Sequence, residues 1–140
     1  AHAIAVAPRV VPLEFVPEPY EIFDAHADLF GDGSVVVVPL PGHTAGSVGV
    51  FVRKADGRRI FHVGDAVNDR EQIERNRGRT PAMRRTDADR AQAERWVARL
   101  HAFAEQVDDV DFLPAHERDA WSDALGAPGD ACPAPARAGA

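Results

Sequence analysis

This chain is poor in cysteine. Its one thiol, Cys132, sits in a Pro/Ala/Gly-rich tail. An internal disulfide is therefore excluded, and nothing points to an oxidising compartment, so a cytoplasmic location is expected. Long apolar runs are also missing. No stretch approaches the length of a membrane span, and Ala1-His2-Ala3-Ile4 has neither the charged region nor the apolar stretch of a signal peptide. No methionine opens the chain, so a processed product or a fragment is expected. Positive charge is in short supply too: 16 Lys and Arg face 22 Asp and Glu, a net charge of −6. That balance argues against binding a phosphate backbone, whose affinity comes from basic residues neutralising phosphates.

What is present is a globular composition, 45% hydrophobic and 27% charged over 140 residues, enough for one domain with a real core. Prolines at 8, 12, 17 and 19 exclude a long helix near the start. Gly31-Asp32-Gly33 marks a turn. Short β-branched runs bounded by turn residues then predict strands at Ser34–Pro39, Ser47–Arg53 and Arg59–Gly64, with Ala55-Asp56-Gly57 as a hairpin turn between the last two. Asp69–Arg79 reads as a short helix or a loop. From Thr86 to Val107 apolar residues recur at threes and fours (Ala93, Trp96, Val97, Leu100, Phe103, Ala104, Val107), which predicts one long helix. Thr86 and Asp89 are placed at its start. Val110–Pro114 reads as a fourth strand and Glu117–Leu125 as a last helix. One domain is expected over 1–126, and the composition of 127–140 predicts a disordered tail.

Three polar residues follow three of these strands directly: His43, Asp65 and His116. Their spacing is too wide for a local zinc finger. It suits ligands gathered from separate strands at one edge of a sheet, where rigid strands hold the loops. Two imidazoles and a carboxylate suit zinc or another borderline divalent metal. Gly42 and Gly46 bracket His43 and Gly64 precedes Asp65, so the backbone is free to turn sharply beside each ligand. Thr44 and Ser47 are placed to support that loop from behind the ligands. Taken singly, each residue has a plainer reading. His43 would be a strand-end histidine, Asp65 a turn residue and His116-Glu117 a helix start.

The stretches "PLPGHTAGSVGVFV", "IFHVGDAV" and "DFLPAHE" resemble three successive motifs of the metallo-β-lactamase-fold hydrolase superfamily. The Gly-His-Thr-x-Gly-Ser loop falls on Gly42–Ser47, the Gly-Asp on Gly64-Asp65 and the late histidine on His116. "DLFGDGSVVVVPLPGHT" and "HERDAW" are similar to the lactonase-like branch. The resemblance implies an α/β fold, the four-layer αββα sandwich with a mixed or antiparallel sheet and flanking helices, of which this chain would be the C-terminal half. It implies a metal-dependent hydrolase of the ester, lactone or thioester class, using a metal-bound hydroxide at a dinuclear site. His43 would bind the first metal, Asp65 would bridge both and His116 would bind the second. The metals would be two zinc ions, with iron or manganese as alternatives.

Two departures carry weight. The superfamily's His-x-His-x-Asp-His motif is absent; "FDAHADLF" does not match it, although His26 there is the reserve candidate ligand. Three residues beyond Asp65, where lactonase-like members often have tyrosine, stands Asn68, whose amide is assigned a catalytic, substrate-binding role. The expected partners are a small-molecule substrate and either the missing N-terminal half or a partner chain, a second copy included. Nucleic acid and membrane are not expected. The alternative is a degenerate, non-catalytic binding module. Of the remaining candidates, His62 faces away from Asp65 by strand period, Glu117 is a supporting residue, and Trp121 is either core or pocket wall. The arginines at 70, 75, 77, 79, 84, 85 and 90 read as a solvated basic face balanced by nearby acids, or as an anion contact.

Overall fold

The computed structural model describes residues 11–125. The proposed tail at 127–140, with Cys132, lies outside them, as does His2. Among the described residues the elements run β1 (Ala27–Asp28), β2 (Val35–Pro39), β3 (Val48–Arg53), β4 (Arg59–Gly64), α1 (Arg70–Glu74), α2 (Pro81–Thr86), α3 (Arg90–Ala104), β5 (Val110–Pro114) and α4 (Arg118–Leu125). The strands form one mixed sheet in the order β1-β2-β3-β4-β5. The first four pair antiparallel, and β5 joins β4 in parallel after the helical crossover. A parallel neighbour needs such a crossover, whereas a short turn suffices for the antiparallel β3–β4 hairpin.

The register sorts the side chains onto two faces. Val36, Phe51, Phe61 and Phe112 lie in one cross-strand row, on the face that helices α1 and α3 cover through Ile73, Trp96, Val97, Leu100 and Phe103. Phe51 and Phe61 stack with centroids 3.8 Å apart. Phe23, from the proline-rich entry segment, stacks on Trp96 and is buried in this core. The other face carries Val35, Val37, Val50, Val52, Ile60 and Leu113. Helix α4 covers only its β4–β5 side, where Ala120 and Trp121 meet Ile60 and Leu113. Trp121 is therefore core rather than pocket wall: its Nε1–H donates to Pro114 O at 2.9 Å, and its ring meets His62 edge-on.

The helix expected from Thr86 to Val107 is the shorter α3, Arg90–Ala104, and Thr86 belongs to a separate helix, α2. Thr86 ends α2, with its hydroxyl donating to Met83 O. The cap of α3 is Asp89, whose carboxylate accepts from Gln92 N–H. Between them Asp87 is extended (φ −70°, ψ 129°). The chain leaves helix geometry only over residues 87–89, and α3 then starts under the Asp89 cap. Asp69–Arg79 contains α1, capped by Asp69 onto Gln72 N–H.

The basic cluster is mostly the balanced face expected. Arg70 pairs with Glu117 and Asp123, Arg75 and Arg77 with Glu71, and Arg84 with Glu94. Arg79 departs from it: its side chain is 1% exposed.

Candidate functional site

Strands β2, β4 and β5 release their chains at one edge of the sheet, and the loops that follow deliver His43, Asp65 and His116 to a common place. The β2–β3 loop reaches it by lying directly against the first turn of α3. Asp89 N–H donates to Gly42 O at 2.9 Å and Ala88 N–H to His43 O at 3.0 Å. A Cβ on residue 42 would lie 2.8 Å from Ala93 N, and the backbone there has φ +142°. Glycine is needed at 42 on both counts. Gly64, at φ +55°, makes the turn out of β4 beside a register shift in the β4–β5 ladder. Gly46 meets nothing within 4 Å and has no positive φ, so the loop does not depend on it.

Asp65 is the centre of the arrangement. His116 Nε2 lies 2.9 Å from its Oδ1, and His43 Nε2 lies 4.0 Å from its Oδ2. One carboxylate thus offers each of its oxygens to a different imidazole. The three residues line an open cleft of about 320 Å³ together with Asn68, Arg79, Ala82, Met83 and Thr86. Asn68 is held there by its backbone N–H, which donates to Gln72 Oε1 at 2.6 Å.

The remaining sequence candidates sit around this core of three. Thr44 and Ser47 bond to each other, hydroxyl to hydroxyl at 2.8 Å, with Thr44 N–H donating to Ser47 Oγ; they shape the loop. Glu117 accepts from Arg70 N–H at 2.7 Å, tying the start of α1 to the chain just after His116. His26 lies elsewhere: its Nδ1–H donates to Glu18 O and its ring rests on Tyr20, so the reserve assignment fails. His62 faces away from Asp65's cleft, as period two requires. Its Nδ1 accepts from Gly64 N–H at 2.9 Å, and burial pushes its pKa below the ordinary imidazole value.

Asp87 escaped the sequence reading, and Arg79 entered it only as one of the clustered arginines. Arg79 and Asp87 flank α2 and form a bidentate pair, Nε to Oδ2 at 2.8 Å and Nη2 to Oδ1. The Asp87 side chain is 0% exposed. Burial alone would raise its pKa, but hydrogen bonds from Arg79 and His43, with the Arg79 charge, bring it below the usual carboxylate value. His43 Nδ1–H donates to Asp87 Oδ1 at 3.1 Å, and Arg79 Nη1–H donates to the carbonyls of Asp65 (2.8 Å) and Ala66. The available signal was Asp89, a capping residue ahead of the apolar stripe, which leaves Asp87 outside α3.

As a metal cradle the set fits in donor type: two imidazole nitrogens face the two oxygens of one carboxylate. It falls short as a cage, since among the described residues no group of three or more His, Cys, Asp and Glu is gathered so as to hold an ion.

No family model and no curated protein matches the chain. Solved structures do. One is an N-acyl homoserine lactone hydrolase with the product N-hexanoyl-L-homoserine bound at its catalytic metal centre; another is a point variant of B. thuringiensis AiiA with N-decanoyl-L-homoserine bound at the active site. Each superposes with a TM-score of 0.50 at 15% identity over 68% of this chain and 36% of the other. The chain thus spans about a third of the length of these structures. The likeness establishes an α/β fold of the metallo-β-lactamase type, with a five-stranded mixed sheet and flanking helices. No helix among the described residues is long and apolar enough to cross a membrane.

Proposed function

We propose that this chain is the C-terminal half of a metal-dependent hydrolase acting on esters, lactones or thioesters. The observation that carries the reading is Asp65, whose two oxygens each face the Nε2 of a different histidine in one open cleft. His43 and His116 would each give a neutral nitrogen to one of two divalent ions, zinc by donor type, and Asp65 would bridge them. Bound there, the ions would supply Lewis acidity toward a carbonyl oxygen. Asn68, on the cleft wall, would donate its amide N–H to a substrate oxygen and orient it. No side-chain nucleophile is required.

The shortfall in ligands is explained if an upstream half of the same polypeptide supplies the rest, as the match to only a third of the lactone hydrolases' length suggests. The same half would cover the valine face. Val48 and Val52 are exposed there, and Val35 and Val50 are half-buried. An apolar sheet face of this kind is costly to leave wet. The test is the metal content and lactone hydrolysis of the full polypeptide, with and without His43→Ala. Retention of metal and activity by the variant would refute the assignment.

A second reading, a degenerate module that binds without hydrolysis, draws on the open ligand set. A full polypeptide of about 15.1 kDa in its source cells would favour it. A substantially heavier one with an upstream histidine motif would favour hydrolysis.

A further inference from the structure

We infer that Arg79 and Asp87 are positioning residues for the site: their buried ion pair holds the His43 ring with Nδ1 protonated and Nε2 turned to Asp65, and anchors the backbone that carries Asp65. The inference rests on the reading of His43 and Asp65 as metal ligands.

The steps are chemical. Asp87 accepts a two-pronged bond from a guanidinium while fully buried, which keeps it an anion. An ionised carboxylate only accepts hydrogen bonds, so the 3.1 Å contact to His43 requires the proton on Nδ1. In the neutral ring the lone pair then lies on Nε2, the atom that faces Asp65 Oδ2. A histidine must present an unprotonated nitrogen to bind a metal, and a carboxylate on its far nitrogen fixes that tautomer. Arg79 also spends Nη1 on the carbonyls of Asp65 and Ala66. A single pair therefore controls one ligand's ring and another ligand's main chain.

The placement also explains a cost. Burying an ion pair contributes little to stability compared with well-packed apolar residues. Here nearly every remaining hydrogen-bonding group of the pair is used on the site, which is what a positioning role requires.

The experiment uses the full polypeptide and two readouts. One is the imidazole ¹⁵N spectrum of metal-free protein at mildly alkaline pH, which reports the His43 tautomer. The other is Zn²⁺ affinity by competition with a chromophoric chelator. The variants are Asp87→Asn and the apolar replacement Arg79→Met/Asp87→Leu; the second avoids a lone buried charge if the first does not fold. Wild-type His43 should be the Nδ1–H form alone. The variants should show mixed tautomers and bind Zn²⁺ about 10- to 100-fold more weakly. An Nε2–H form in the wild type, or unchanged tautomer and affinity in the folded double variant, would overturn the inference. If the wild type holds the Nδ1–H form and the variants lose it while neither binds Zn²⁺, the metal reading fails and the positioning of His43 stands.

Discussion

Strand β4 begins and ends at an arginine–carboxylate pair, and the two pairs behave differently. At its start Arg59 forks onto Asp109, at 2.8 and 3.0 Å, and also reaches Glu21. Asp109 is half-exposed, and its bond to Arg59 lowers its pKa. This pair staples the β4 and β5 entrances together in contact with water. At the other end, beyond Asp65, the Arg79–Asp87 pair is sealed from water and passes its remaining bonds to His43 and Asp65. The chemistry is the same, but solvent decides its consequence. In water such a pair is a modest staple; in the interior it becomes a rigid mount, costly to break and able to dictate where a neighbour's proton sits.

Breaking the buried pair should have the largest effect. Asp87→Ala leaves a buried guanidinium unpaired and should cost about 3–5 kcal/mol, read as a lowered urea midpoint at unchanged slope. Adding Arg79→Met should recover part of that loss, because the stranded charge is then gone. If the double variant is less stable than the single by a full further increment, the two residues are not acting as a pair. Gly42→Ala comes next. It forces a methyl against Ala93's backbone at an unfavourable φ, so a loss of about 1–3 kcal/mol is expected, together with a shift of the His43 imidazole resonances. A change confined to stability would mean that the loop has other ways to seat the histidine.

The half-exposed pair should matter least in magnitude. Asp109→Ala, which leaves Arg59 paired with Glu21, should cost no more than about 1 kcal/mol, and raising the salt concentration should shrink the difference. A large, salt-insensitive loss would erase the contrast between the two ends of β4. Titration sharpens the contrast further. His62 has its pKa lowered by burial, so below about 6.5 the unfolded chain takes a proton that the folded one refuses, and stability falls as pH drops through that region. His62→Gln should flatten stability between pH 7.5 and 5. The lowered carboxyls of Asp87 and Asp109 act further down: their contribution is present above the ordinary carboxylate value of 3.8 and is lost as pH falls through their folded values. An unchanged slope between pH 7.5 and 5 in the His62 variant would show that another group governs this range.

The strands were legible because period-two patterns and turn residues are local. Val35–Pro39, Val48–Arg53, Arg59–Gly64 and Val110–Pro114 fall within a residue of where sequence places them. His43, Asp65 and His116 stood out for a related reason, since each follows directly on a strand. The start of α3 was placed too early because Thr86 with Asp89 three residues on reads as a helix start, whereas Asp89 itself is the cap. Phe23 was missed because the stretch Tyr20–Phe30 mixes apolar and acidic residues without a clean period, although Phe23 lies in the main core.

The sequence by itself determined the strand set, the helical crossover and the three polar residues that end at one sheet edge, because each is written in neighbouring residues. Only the tertiary structure decided that the oxygens of Asp65 face two different imidazoles, and that one of seven clustered arginines is buried against Asp87. Those outcomes join residues tens of positions apart, 44 between His43 and Asp87 alone. Whether a charge meets water or a partner is settled by packing, which no local pattern records.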